Sequence, residues 1–327
     1  MTPSASLGFK TAFITGAAGF IASALVDRLL ASGTRVVGYD NMSTGMPEFL
    51  LEAGRQANFT FVNADMLDLF ALTKAMTGVD IVFHFAANAD IRFGLEHPRK
   101  DLEQNTIATF NVLEAMRANE VRAIVFPSTG PVYGEPKVFP TPEDAPFPVQ
   151  TSLYGASKLA CEGLISAYCE GYGMRAWIFR FVSILGERYT HGHVFDFVRQ
   201  LRADPTVLHV LGNGRQRKSY LYVQDCVDAI LTALTQAQDK INIFNLGAEE
   251  YCEVRESAAW IAERLNCRPE FRFGTEERGW IGDSPLVFLD TTRIRSLGWH
   301  QKLSIRAGVE RTVDWLVKNP WIFERRS

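Results

Sequence analysis

Tyr154 stands four residues before Lys158 in the run Tyr154-Gly155-Ala156-Ser157-Lys158. If the run is helical, positions i and i+4 share one face, and the lysine ammonium comes near the phenol oxygen. A charge about 4 Å away at an effective dielectric of about 20 is worth roughly 4 kcal/mol. That is roughly three pKa units, enough to bring a phenol from about 10 to near 7. A phenol so tuned can act as general base or acid on a sugar or alcohol hydroxyl. Tyrosine and lysine at this spacing also occur on ordinary solvated helices, so the elements around them must decide.

The strand pattern that would position them begins with Thr11-Ala12-Phe13-Ile14-Thr15, a short apolar run of the kind buried in parallel sheets. Gly16-Ala17-Ala18-Gly19-Phe20-Ile21-Ala22 follows, and then a helical pattern through Leu25, Leu29 and Leu30. Strand, glycine turn and helix form the context of a dinucleotide-binding turn. Gly16 permits the turn, and Gly19 lets backbone approach a pyrophosphate at the helix N-terminus, with Phe20 and Ile21 opening that helix. Ala22 stands where a third glycine is commoner. A second strand, 35–39, ends at Asp40 with Asn41 after it. An acidic residue at this distance from the glycines suits the adenosine ribose hydroxyls and repels a 2′-phosphate, which favours NAD over NADP. A turn-capping role for Asp40 is the plainer alternative.

Further strands are expected at 59–62, 81–85, 123–126 and 177–181, the last closing the sheet as its sixth. Asp65 and Met66 after the third could flank an adenine. Phe85, Ala86 and Ala87 end the fourth, where small residues leave room for a cofactor. His84 lies inside that apolar strand and reads as a packed core histidine. Ser128 and Thr129 follow the fifth strand, where ligands bind in open α/β sheets, and Thr129 is the candidate to orient a reacting hydroxyl. An amphipathic stretch over 98–118 contains Asn105.

Taken in order, Gly16 and Gly19, Asp40, Phe85-Ala86-Ala87, Ser128-Thr129 with Val132-Tyr133-Gly134, Tyr154 with Lys158, and Arg180-Phe181 resemble the extended short-chain dehydrogenase/reductase family. More narrowly, the chain is similar to the nucleotide-sugar epimerases and dehydratases. The resemblance implies an α/β fold: a Rossmann-type doubly wound parallel sheet with a smaller α/β C-terminal lobe. It places an NAD-binding domain carrying the catalytic residues at 1–182 and a substrate lobe at 183–327, interleaved with the first. It implies Tyr154 as base and acid, Lys158 on the nicotinamide ribose, Asn105 supporting the lysine through water, and Ser128 and Phe181 at the cofactor. For the nucleotide-diphosphate sugar it implies contacts from Thr129, Tyr154, Ser183, Val194 and two phosphate-clamping arginines, Arg217 and Arg278. Arg278 is displaced by two residues from the family's pattern, and Ser183 stands where asparagine is common.

The resemblance also separates reactions. The 4,6-dehydratases carry an Asp-Glu pair after the active-site threonine; here those positions are Gly130 and Pro131, which move no proton. Cys161 has no evident reason to reach a sugar as a 3,5-epimerase would need. What remains is 4-epimerisation of an NDP-hexose or hexuronate. A decarboxylase, a 4-ketoreductase and a non-catalytic NAD-binding regulator are the alternatives. A homodimer through the helix of Tyr154 and the one before it is implied, with Leu113, Leu159, Leu164, Ile165 and Tyr168 as its face.

Bulk properties narrow the partners. A net charge of −3 in 327 residues gives no electrostatic case for nucleic acid or an anionic membrane. No apolar run approaches the roughly 20 residues of a membrane helix. The five cysteines are scattered, and with no signal peptide evident in the first ten residues they read as reduced thiols of a cytoplasmic protein. His191 and His193 flank Gly192 without a carboxylate or thiol pattern, so no metal site is expected.

Overall fold

The computed structural model describes residues 7–147, 149–280 and 283–326. The chain forms two compact units. One is built from Met1–Gly134, Pro146–Arg180 and Ala229–Phe244, the other from Glu135–Ala145, Phe181–Asp228 and Asn245–Ser327.

In chain order the first unit opens with β1 (Thr11–Thr15), α1 (Phe20–Ala31), β2 (Arg35–Asp40), β3 (Phe59–Asn63), α2 (Leu69–Ala75) and β4 (Ile81–His84). Helices α3 (Ile91–Glu96) and α4 (Pro98–Asp101) lead through a π-helical turn, Leu102–Ile107, into α5 (Ala108–Ala118). Then come β5 (Ala123–Thr129), α6 (Leu153–Tyr172) and β6 (Arg175–Phe181). The rest of the chain supplies β7 (Ser183–Leu185), α7 (His193–Ala203), β8 (Val207–Val210), β9 (Arg217–Lys218), β10 (Tyr220–Tyr222), α8 (Val223–Gln236) and β11 (Ile241–Leu246). It ends with β12 (Cys252–Glu253), α9 (Val254–Arg264), β13 (Glu270–Phe273), β14 (Leu286–Val287), α10 (Thr292–Arg295), α11 (Ile305–Lys318) and α12 (Trp321–Arg325).

The main sheet has seven strands in the order β3-β2-β1-β4-β5-β6-β11. β1 pairs in parallel with both β2 and β4, β2 with β3, and β4 with β5. The sheet is therefore doubly wound, and its strand order reverses between β1 and β4, where ligands bind in such sheets. Six strands do not close it: β11 adds a seventh outside β6. β5 also runs three residues further than expected, to Thr129, because Pro127 and Ser128 continue the extended backbone.

The core between the sheet and α2, α5 and α6 is filled by Phe13, Tyr39, Leu72, Met116, Phe126 and Ile178 among others. Leu113 and Ile165 are fully buried in it, so they are not available to a dimer face; Leu164 and Tyr168 pack partly against it. The second unit holds short sheets, β10-β7, β12-β9-β14 and β13-β8, and the mutually packed helices α7, α9 and α11. All five cysteines are free. No helix among the described residues is long and apolar enough to cross a membrane. The reading of the first ten residues falls largely outside the described residues, as do Ile281 and Gly282 beyond Arg278.

His84 is a core residue. Its ring accepts or donates on both sides, Nδ1 to the Thr15 hydroxyl at 2.8 Å and Nε2 to the Thr109 hydroxyl at 3.0 Å. Burial pushes its pKa down from 6.5 to about 3, helped by the Lys158 charge. In the unfolded chain the imidazole takes a proton below about pH 6.5, whereas in the folded chain it stays neutral. Stability from this group is complete above pH 6.5 and is lost as pH falls toward 3, at up to about 1.4 kcal/mol per pH unit. His193 adds a slope of the same sign, since burial lowers it to about 3 as well. Urea melts at pH 7 and pH 5 should show this loss, and the slope should shrink in His84→Gln.

Candidate active site

The glycine turn sits at the strand-order reversal. Gly16 has φ +67, and a Cβ there would lie 2.7 Å from the Ala86 nitrogen, so the turn after β1 and the segment after β4 touch backbone to backbone. The Gly16 N–H donates to the Tyr39 carbonyl at 2.8 Å, and Ala86 donates to the Thr15 hydroxyl at 3.1 Å. Gly19 is the N-cap of α1, without a side-chain cap and without an acidic residue in the first turn. The positive end of α1, where Phe20 and Ile21 lie, is thus left for an anion.

Asp40, at the end of β2, is 8% exposed. Its Oδ2 accepts from Ala18 N–H at 3.0 Å and its Oδ1 from Met42 N–H at 2.8 Å. Burial raises its pKa, while the two backbone donors pull it down. Asp40 is thus a turn cap: Oδ2 holds the glycine turn through Ala18, Oδ1 holds the segment after β2 through Met42, and each oxygen keeps a second lone pair. Asn41 donates to Asp65 at 2.8 Å, which ties the ends of β2 and β3 together. Met66 is buried in the sheet core, and its backbone carbonyl accepts from Asn111. Phe85, Ala86 and Ala87 follow β4 and are half-buried.

Ser152 caps α6 by accepting from Gly155 N–H at 3.0 Å. A Cβ on Gly155 would lie 2.8 Å from the Pro131 carbonyl oxygen. Glycine there lets the first turn of α6 press against the turn that follows Thr129. This contact brings Tyr154 near Thr129, whose hydroxyl lowers the phenol's proton affinity.

The sequence expectation of an acidic phenol is corrected. Burial holds Tyr154 up at about 12, and the Thr129 hydrogen bond only opposes that rise. Lys158 is 2% exposed and points elsewhere: its ammonium donates to the Pro127 carbonyl at 3.0 Å and lies 4.5 Å over the Phe126 ring. Burial lowers Lys158 to about 8. The helical spacing is as expected, but desolvation acts on both groups and outweighs the attraction inferred from spacing alone.

Two further expectations change. The Ser128 hydroxyl donates to Glu162 Oε1 inside the protein, so it is not turned toward a cofactor. Asn105 lies in the π-helical turn. Its amide donates to Ser157 Oγ at 2.9 Å and its Oδ1 accepts from Asn88 N–H at 2.9 Å. It braces α6 and the segment after β4 directly. Asp101, buried one turn earlier, accepts from Asn88 Nδ2 at 2.9 Å. Cys161 is buried between Thr109 Oγ1 at 3.2 Å and the Asn105 carbonyl at 3.4 Å, a packing role.

The substrate candidates lie in the second unit, apart from Thr129 and Tyr154. Phe181 ends β6 and is buried; Ser183 opens β7 and is exposed. Val194 is fully buried in α7 and is a core residue, not a ligand contact. Arg217 and Lys218 alternate on β9. The Arg217 side chain is exposed with its guanidinium 5.6 Å over Tyr251. Lys218 turns inward, donating to Asp283 Oδ1 at 2.6 Å and to the Ser284 carbonyl. Arg278 donates to the Asp283 carbonyl at 3.1 Å and pairs with Glu135. The structure therefore gathers Lys218 and Arg278 at Asp283 and leaves Arg217 out. Strand alternation was the signal that could have chosen Lys218 over its neighbour. His193 opens α7 with Nε2 2.7 Å from Ser257 Oγ, a hydrogen-bonding role; His191 lies 3.1 Å from the Thr190 hydroxyl.

Comparison with known proteins places this geometry. The model of the NAD dependent epimerase/dehydratase family matches residues 12–247. The UDP-glucose 4-epimerase of Mycolicibacterium smegmatis is 34% identical over 314 residues, covering 92% of this chain and 97% of that one. A crystal structure of UDP-galactose 4-epimerase superposes with a TM-score of 0.85 at 36% identity, covering 95% of this chain and all of the other. UDP-glucose 4-epimerase from Thermotoga maritima, solved with UDP-glucose, gives a TM-score of 0.86 at 30% identity, with 95% and 99% coverage.

Proposed function

Because the chain belongs to the NAD dependent epimerase/dehydratase family, we propose that it is a nucleotide-sugar 4-epimerase acting on an NDP-hexose or NDP-hexuronate. The reading rests on one observation above the rest: Thr129, at the C-terminal end of β5, lies near enough to the Tyr154 phenol to pull its proton affinity down, with Lys158 one helical turn behind.

NAD, the cofactor of the family, fits the residues present. The Gly16 turn leaves no room for a side chain, the N-terminus of α1 suits its pyrophosphate, and Asp40 suits the adenosine ribose. When bound it supplies reversible oxidation at the sugar's C4. In this reading Tyr154 takes the proton of the 4-hydroxyl and later returns it to the 4-keto sugar. Thr129 orients that hydroxyl and donates to the phenol oxygen, which favours its ionised form. Lys158, one helical turn further along α6, donates to the Pro127 carbonyl two residues before Thr129. Gly130 and Pro131 offer no acid or base after Thr129, so elimination of water across C5–C6 of the 4-keto sugar lacks its catalyst. In the second unit Lys218 and Arg278 take the diphosphate: cations beside Asp283 that can exchange part of that contact for phosphate oxygens.

Two tests follow. Incubation with UDP-glucose, UDP-galactose, UDP-GlcNAc and UDP-glucuronate, followed by NMR, should give a 4-epimer from at least one. Release of water or carbon dioxide, or consumption of added NAD(P)H, would assign a dehydratase, a decarboxylase or a ketoreductase instead. A charge-assisted hydrogen bond is worth about 1.5–3 kcal/mol, so Lys218→Ala should raise KM for the sugar nucleotide about 10- to 100-fold. Arg217→Ala should leave it within about two-fold; the reverse order would refute the assignment. We also propose a homodimer through α6 and the helices before it, where Leu102, Ile107, Phe110 and Leu153 remain exposed. Sizing by light scattering checks this, and a monomer at micromolar concentration would exclude it.

A further inference from the structure

Four residues beyond Lys158, Glu162 lies on the same face of α6 and is almost fully buried. Its Oε1 accepts from the Ser128 hydroxyl and from Arg180 Nε at 3.1 Å; its Oε2 accepts from Arg180 Nη2 at 2.7 Å. The Arg180 side chain is 2% exposed, and its remaining branch donates to the Tyr133 hydroxyl at 2.8 Å. The same guanidinium lies 4.9 Å from the centres of the Tyr133 and Phe147 rings. Lys158 and Glu162 therefore anchor α6 to consecutive residues of β5, the Pro127 carbonyl and the Ser128 hydroxyl. Thr129 is the next residue, and Tyr133 ends the turn after it.

We propose that Glu162 is a positioning residue for the reaction: its carboxylate fixes the strand end bearing Thr129 against the helix bearing Tyr154, and supplies the negative charge facing the Lys158 ammonium. The arrangement explains why a buried lysine without a carboxylate of its own stays cationic near neutrality. Burial drives Lys158 down to about 8, and Glu162 and Cys161 act against that fall. The other titratable groups near the pair are His84 from β4, which feels the Lys158 charge, and Arg180 from β6, which pairs with Glu162. His84 is held neutral by burial, and Asp101 acts on the phenol. A buried pair is costly to break from one side and often neutral to replace as a whole. Its retention beside Thr129 is accounted for by position and charge, not by stability.

The inference rests on the 4-epimerase reading, and the experiment separates the two. The pH dependence of kcat is measured for the wild type, for Glu162→Gln, and for Glu162→Gln combined with Arg180→Met. The double variant removes the stranded arginine charge, so it carries the test if the single variant does not fold. Wild-type kcat should fall above about pH 8, as Lys158 loses its proton. In the variants that alkaline limb should move down by about one pH unit or more. At pH 8 kcat should be at least about ten-fold lower, while KM for the sugar nucleotide and NAD affinity stay within about two-fold. An active wild type whose alkaline limb does not move in a folded variant would overturn the role of Glu162. An inactive wild type would instead overturn the epimerase reading.

Discussion

Tyr154→Phe should fold as the wild type does, bind NAD with unchanged affinity, and turn over its sugar nucleotide about 10²–10⁴-fold more slowly, the range that general acid–base catalysis contributes. The ring of Tyr154 is half-buried at the start of α6, and the helix is capped by Ser152 and packed through Gly155, neither of which needs the phenol oxygen. What the substitution removes is the phenol hydroxyl beside Thr129, the proposed proton carrier itself. Burial holds the phenol at about 12 even with Thr129 pulling it down, so losing that hydroxyl makes ionisation harder still. Thr129→Val should therefore lose activity in the same direction but less. Equal turnover in Tyr154→Phe would remove the proposed chemistry altogether.

Gly16→Ala should disable the cofactor site. The residue sits at φ +67, in the left-handed region, and the new methyl would lie 2.7 Å from the Ala86 nitrogen and 2.8 Å from its Cα. Both atoms are backbone, so a flexible side chain cannot yield. Strain at such a position costs on the order of 1–3 kcal/mol, and the ends of β1 and β4 must part. NAD affinity should fall at least about ten-fold, equivalent to roughly 1.4 kcal/mol, with a lowered melting temperature. Gly33→Ala is the control: its φ is +84, yet nothing lies within 4 Å of the added methyl. It should pay only the backbone strain and keep NAD affinity unchanged, as measured by calorimetry.

The strands β1, β2, β4 and β5 were legible because each is a short apolar run, although β5 was expected to stop at Phe126 and continues to Thr129. Burial on both faces writes such strands into composition. The edge strand β11 was not, since Ile241–Leu246 joins a partner more than sixty residues earlier and its sequence alternates apolar residues with asparagine. The spacing of Tyr154 and Lys158 was readable, but their proton affinities were not. Desolvation depends on Phe126, Pro127 and the rest of the surrounding core, which only the fold assembles. The same limit hid Glu162 and Arg180, 18 residues apart in sequence and 2.7 Å apart in space. Val194 was legible in principle: with Phe197, Val198 and Leu201 it makes the buried stripe of α7. Resemblance placed it at the substrate, and periodicity would have placed it in the core. Asp40 shows the opposite case: its two turn-capping bonds are structural, and the ribose contact proposed for it would use the lone pairs they leave.

The central claim is reversible oxidation at a single sugar carbon with no net consumption of cofactor. The direct measurement uses UDP-hexoses and UDP-glucuronate carrying deuterium at C4, incubated with the purified protein and followed by NMR and mass spectrometry. The account predicts a 4-epimer that retains its deuterium at C4, with no water or carbon dioxide released and no reduced cofactor accumulating. Deuterium lost to solvent, a shortened or dehydrated sugar, or stoichiometric use of added NADH would contradict it.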